Sequence, residues 1–185
     1  MKAAADLGML GDIVFTADDI AAAIRRLADA IRRDYAGEPI VLVGVLKGAI
    51  LFASDLMRQL SDYPITIDFI VVSSYGTGRR GAKGDVRLLK DLDTNPAGRN
   101  ILLVEDIVDE GLTLEYLLNN LQSREPRSLR ACALMDKPFH RMADVHVDYV
   151  GMTAPDAFLV GYGLDYQEAF RNLPYICKLS CPPNQ

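Results

Sequence analysis

Hydrophobic positions along the chain switch repeatedly between helical and strand-like spacing, and this switching outlines a fold. Ile20, Ala23, Ile24, Leu27, Ala28 and Ile31 recur at helical intervals, with Arg25, Arg26, Arg32 and Arg33 largely off that stripe. Thr16 and Asp19 form a capping-box pattern at the start of this helix, and Gly37 and Pro39 mark its end. Ile40 to Leu46 is a continuous apolar run and reads as a buried strand, broken by Lys47-Gly48. Ala49 to Leu60 then reads as a helix and Ile65 to Ser73 as a second strand. From Gly76 to Gly84 almost nothing is apolar, which predicts a mobile exposed loop, with Val86 to Leu89 as a short strand returning from it. Further strands are predicted at Ile101 to Val104, Ser128 to Met135, Val147 to Val150 and Phe158 to Tyr162, and a helix at Leu112 to Leu121. Strands alternating with helices predict an α/β fold with a mostly parallel sheet flanked by helices on both faces. The 185 residues carry no repeat or interdomain linker, and residues 1–185 read as a single domain.

Composition narrows the function more than the fold. A net charge of −5 argues against non-specific nucleic-acid binding, while leaving room for a local basic pocket. Cys132, Cys177 and Cys181 show no close metal-ligand spacing and cannot all pair with one another, so a reduced, intracellular protein is expected. With only His140 and His146, a multi-histidine metal site is not expected. Met1 to Leu10 contains Asp6 and lacks the apolar stretch of a signal peptide. Ile40 to Ala53 is interrupted by Lys47 and too short to span a bilayer. The expectation is a cytoplasmic protein without membrane association.

The most informative segment is Ile101 to Thr113. Four apolar residues run into Glu105 and Asp106, and Ile107-Val108 then leads to Asp109-Glu110-Gly111-Leu112-Thr113. A buried strand followed by acids and a helix start is how an open α/β sheet builds a site at its carboxyl edge. Unpaired N–H groups and the helix dipole favour an anion at that start. Acceptors for hydroxyls beside a cradle for phosphate suit a sugar phosphate.

Val104 to Thr113 resembles the 5-phosphoribosyl 1-diphosphate (PRPP) signature of the type I phosphoribosyltransferases. Leu46-Lys47-Gly48, Ser74-Tyr75, Asp136-Lys137 and Phe158 to Tyr166 through Phe170-Arg171 resemble, in order and spacing, the hypoxanthine-guanine branch. The resemblance spans about Ile13 to Leu179 and implies the type I fold, with a small hood formed by the N-terminal region and about 155–180. It also implies purine salvage: Mg²⁺-dependent transfer of the phosphoribosyl group from PRPP to N9 of hypoxanthine or guanine, giving IMP or GMP and diphosphate. Partners would be PRPP and a 6-oxopurine, with no nucleic acid or membrane, in a homodimer or homotetramer.

Residue by residue, the resemblance implies that Glu105 and Asp106 orient the ribose hydroxyls and favour positive charge on the ribose. Glu110, Gly111, Leu112 and Thr113 would cradle the 5′-phosphate. Asp109 would be the general acid/base at purine N7, although Asp is also a favoured helix N-cap. Lys47, Gly48 and Arg171 would meet the diphosphate, and some family members have a cis peptide at the position of Leu46-Lys47. Lys137 would donate to the 6-oxo group, Phe158 would stack on the base, and Leu159 would read its edge through the backbone. Asp165 would complete the purine site and, with Glu105 and Asp106, serve magnesium as a hard oxygen ligand. Ser74 and Tyr75 would begin a lid running to Gly84.

One position departs from the family pattern. Glu110 stands where Thr or Ser is usual, and a carboxylate aimed at the phosphate would repel it. The preferred reading turns Glu110 outward while its backbone still binds. Two rivals stand beside the enzyme: a regulator that keeps this fold to sense nucleotides, and an enzyme of the same fold acting on xanthine or a pyrimidine. Diphosphate release and turnover on the three oxopurines separate them.

Overall fold

The computed structural model describes residues 9–74 and 86–180. In chain order the elements are β1 (Leu10–Phe15), α1 (Ala17–Tyr35), β2 (Ile40–Leu46), α2 (Ile50–Gln59), β3 (Ile65–Ser74) and β4 (Val86–Lys90). There follow β5 (Asn100–Val108), α3 (Leu112–Gln122), β6 (Ser128–Asp136), β7 (Tyr149–Thr153), β8 (Leu159–Val160) and β9 (Ile176–Leu179).

The apolar runs are continuous because their strands are covered on both faces. Successive side chains on a strand point to opposite faces, so one run feeds two cores. Leu42, Leu102, Val104, Cys132 and Leu134 pack with α1 and α2, against Ile24, Leu27, Ile31, Phe52 and Leu56. Val41, Val43, Ile101, Leu103 and Ala133 face the other way, towards Leu114, Leu117 and Leu121 of α3. Burying side chains of this size stabilises the fold by about 1.5–3 kcal/mol each, before chain entropy is counted.

The main sheet has six strands in the order β4-β3-β2-β5-β6-β7. All its pairings are parallel except β3 with β4. A second, antiparallel sheet in the order β1-β9-β8 joins the N-terminal strand to two strands near the C-terminus. Thr16 and Asp19 form a full capping box at the start of α1.

The structure shifts three predicted strands by two residues or more and adds two strands. β5 does not end at Val104 but pairs with β6 as far as Val108 opposite Asp136. β7 is Tyr149–Thr153 rather than Val147 to Val150, because Tyr149 pairs with Cys132 and Met152 with Met135. The strand expected at Phe158 to Tyr162 is reduced to Leu159–Val160, after which the chain turns through Gly161 at φ 103°. β1 and β9 carry no strong sequence signal and exist by pairing with each other. Among the described residues, no helix is long and apolar enough to cross a membrane.

Candidate active site

The carboxyl ends of β2, β5 and β6 converge on one edge of the main sheet, where most of the candidate residues lie. Glu105 and Asp106 belong to β5 itself rather than to a loop after it, with Glu105 paired to Ala133 in the parallel ladder. Glu105 is buried at 7 % exposure. Burial, and then the neighbouring Asp106 charge, push its carboxyl well above the usual range. Asp106 is raised to about 6, chiefly by burial; backbone hydrogen bonds and the Arg171 charge oppose that rise, and Asp165 adds to it.

The Asp106 carboxylate lies directly against the Lys47-Gly48 turn. A methyl group on Gly48 would stand 1.9 Å from Asp106 Oδ2, and one on Gly163 would stand 2.0 Å from the Gly48 carbonyl oxygen. Gly163 also has a φ of 99°, so two requirements select glycine there. The Leu46–Lys47 peptide bond is cis.

Asp109 and Lys137 face each other across the ends of β5 and β6. The Lys137 backbone N–H donates to the Val108 carbonyl at 2.9 Å, and its ammonium donates to Asp109 Oδ2 at 3.2 Å. Lys137 is almost wholly buried, with its side chain 8 % exposed. Asp109 Oδ1 is buried with no hydrogen-bond partner among the described residues. Arg141, which the sequence reading did not single out, fastens this corner. Its guanidinium donates to the Asp109 carbonyl at 3.0 Å and the Val108 carbonyl at 3.4 Å, and pairs with the Asp136 carboxylate. Nothing in local periodicity signals Arg141, because the clamp is a tertiary contact from just beyond the 3-10 turn Pro138–His140.

Next to that corner, α3 begins with no side-chain cap, and Gly111 precedes it at φ 84°. A Cβ on Gly111 would meet Arg141 and Val145 at 3.0 Å, so glycine is needed there as well. Glu110 is exposed, and its carbonyl accepts from Met142 and Ala143 at 2.9 and 3.1 Å. Leu112 and Thr113 are half-buried in the first turn. The first N–H groups of an α-helix have no intrahelical acceptor, so this end is suited to an anion.

The segment after β8 completes the edge. Phe158 is half-buried and meets Tyr166 edge to face, with ring centroids 5.9 Å apart. Leu159 is buried in β8. Arg171 pairs with Asp165 at 2.6 Å and donates to the Gly163 carbonyl at 2.7 Å, while its buried Nε has no partner among the described residues. Glu168 pairs with Lys47 at 2.8 Å and with Arg171 at 3.4 Å, tying two of the candidate diphosphate groups together.

Among the described residues, no three acidic, histidine or cysteine side chains converge as a ready-made metal cage. Two neighbouring carboxylates of raised pKa on β5, with the Asp165 charge acting on Asp106, still suit a cation that keeps most of its ligands from water and substrate. Ser74 closes β3, whereas Tyr75 and the rest of the expected lid to Gly84 lie outside the described residues, as does Cys181. Cys132 and Cys177 are free and buried.

Comparison with known proteins identifies the family. A phosphoribosyl transferase domain profile matches residues 12–167. The hypoxanthine-guanine phosphoribosyltransferase of Mycobacterium tuberculosis is 47 % identical over 175 residues, covering 91 % of this chain and 86 % of the relative. The enzyme of that name from Staphylococcus aureus is 44 % identical over 167 residues, covering 90 % and 92 %. A crystal structure of a hypoxanthine-guanine phosphoribosyltransferase from Bacillus anthracis superposes with a TM-score of 0.84 at 43 % identity, covering 92 % of this chain and 98 % of the other. The chain therefore belongs to the phosphoribosyltransferase family, in its hypoxanthine-guanine branch.

Proposed function

We propose that the protein catalyses purine salvage, joining N9 of hypoxanthine or guanine to C1′ of PRPP and releasing diphosphate. The carrying observation concerns buried polar atoms. Of three that lack a partner among the described residues, two are Asp109 Oδ1 and Arg171 Nε, on either side of the same edge. Buried polar groups are nearly always satisfied, so such atoms point to a missing ligand.

In this reading the 5′-phosphate sits on the backbone of residues 110–113, with the Thr113 hydroxyl beside it. Glu105 and Asp106 accept from the ribose hydroxyls and stabilise positive charge at C1′ as the bond to diphosphate breaks. Gly48, Lys47 and Arg171 receive the departing diphosphate, which requires Glu168 to release its two cations. N9 of the base forms the new bond to C1′, and the proton on N7 passes to Asp109. Lys137 donates to the 6-oxo group. Adenine carries an amino group there, leaving the ammonium poorly paired, and this selects against it. Phe158 stacks on the base, and the Leu159 backbone reads its edge.

Magnesium fits beside Asp106, Asp165 and Glu105, where it would neutralise diphosphate charge and assist its departure. The small β1-β9-β8 sheet serves as the hood over the base, with Ser74 and Tyr75 opening the lid. Free buried cysteines and the acidic balance fit a reducing cytoplasm, and a homodimer or homotetramer follows the family pattern. Mixing the protein with PRPP, Mg²⁺ and hypoxanthine should release diphosphate and form IMP; no diphosphate with hypoxanthine, guanine or xanthine overturns the assignment.

A further inference from the structure

The buried ammonium of Lys137 is shared by two carboxylates, and the proposed reaction occupies only one of them. Its Nζ stands 3.2 Å from Asp109 Oδ2 and 3.7 Å from Asp156 Oδ1. Asp156 is not loose. The same Oδ1 lies 2.8 Å from His140 Nε2, in the short turn that directly follows Lys137. The segment carrying Asp156 is itself fastened to the end of β6, where the Ala154 N–H donates to the Asp136 carbonyl at 2.8 Å.

We infer that Asp156 is a positioning residue for purine recognition: braced by His140, it is the standing counter-ion that aims Lys137 at the 6-oxo group. This rests on the reaction proposed above. When Asp109 takes the N7 proton it becomes neutral, and it then no longer offsets the ammonium. A buried cation left unpaired is costly, so a second carboxylate is needed at that moment. The other charged groups at this corner do not supply it. Asp136 is held by Arg141, and Arg141 is a cation already engaged with Asp136 and the Val108 and Asp109 carbonyls. Asp156 also lies two residues before Phe158, so the segment that places the stacking ring places the counter-ion too.

The arrangement assigns Asp156 a task distinct from holding the fold. Its side chain is 55 % exposed, and an amide of the same size fits without disturbing a core. Losing its charge leaves Asp109 as the sole carboxylate on Lys137, so the ammonium is drawn from the base site towards the acid/base group.

The test compares full-length wild type with Asp156→Asn, Asp156→Glu and His140→Ala, measuring KM for hypoxanthine and for PRPP together with the melting temperature. In Asp156→Asn, KM for hypoxanthine should rise about tenfold, the scale of losing one charge partner of a buried ammonium, while KM for PRPP stays within about twofold. Asp156→Glu should recover most of the loss, and His140→Ala should show a rise of about two- to threefold in the same constant. Unchanged hypoxanthine KM in Asp156→Asn, or a parallel rise in both constants with a lowered melting temperature, overturns the inference. Wild type that turns over no 6-oxopurine overturns the proposed reaction and this inference with it. Wild-type turnover beside an unmoved Asp156→Asn overturns the inference alone.

Discussion

The two ends of β5 treat polar groups in opposite ways. At its amino end, Asn100 is buried but satisfied, donating to the Pro39 carbonyl at 3.0 Å and accepting from the Ser128 hydroxyl at 2.8 Å. Nearby, Arg130 binds the Tyr149 hydroxyl and lies over the Tyr35 ring at 4.9 Å, while Tyr149 donates to Asp34 at 3.1 Å. At the carboxyl end, Glu105 and Asp106 are held where burial opposes their charge, and Asp109 keeps one oxygen without a partner. Apart from the Tyr35 hydroxyl, which also lacks a partner among the described residues, the amino edge is tied together, whereas the carboxyl edge holds its carboxylates against burial. An unsatisfied edge costs stability in the free protein, and a ligand with the missing charges and donors recovers it.

That contrast breaks most visibly at Asp109. Asp109→Asn should lower turnover by about 10²–10⁴-fold with much smaller changes in substrate KM, measured by steady-state kinetics. Unchanged turnover removes Asp109 from the chemistry. The second consequence concerns pH. Asp106 has a folded value of about 6 against an ordinary 3.8, so between those values the folded protein binds a proton that the unfolded chain does not. Stability of the free protein from this group therefore falls as pH rises from about 4 to 6 and is flat above, and Glu105 acts in the same direction. Asp106→Asn should raise stability at pH 7 by roughly 1–3 kcal/mol in denaturant unfolding while weakening PRPP turnover. A loss of stability would show that the carboxylate is held favourably.

The amino end supplies the opposite result. Asn100→Ala should cost about 1–2 kcal/mol of stability, because two buried hydrogen bonds are lost, and leave kcat/KM within about twofold. A large kinetic defect there would erase the distinction between the edges. The smallest effect is expected at Glu110. Its side chain is exposed and its carbonyl is already engaged, so Glu110→Ser should change KM for PRPP by less than about threefold. A much larger gain in affinity would mean that the carboxylate reaches the phosphate.

The layered fold was legible because β2, β5 and β6 are apolar on both faces and α1 carries a clean helical stripe with its cap. Hydrophobicity alone ends β5 at the first acid, whereas the strand continues through the charged but buried Glu105 and the half-buried Asp106. The β1–β9 pairing is hidden in the sequence for a different reason. Leu10 meets Leu179, so the signal lies in two distant weak segments rather than in either one. The residues meeting at the carboxyl edge were readable as motifs. Their supports, Arg141, Asp156 and the close approach of Gly163 to Gly48, arise from tertiary contacts between segments that show no pattern of their own.

The parallel ladder between β5 and β6 runs past the acids to Val108 opposite Asp136, so Asp109 and Lys137 each follow directly on a paired residue. Adjacent strands lie about 4.8 Å apart by the geometry of their hydrogen bonds. The sheet is therefore a ruler: it spaces Asp109 from Lys137, the two groups proposed to meet the purine, by backbone alone. Side chains around the edge can be exchanged without recalibrating it, and a change of base preference is then confined to what the loops attach to a fixed scale.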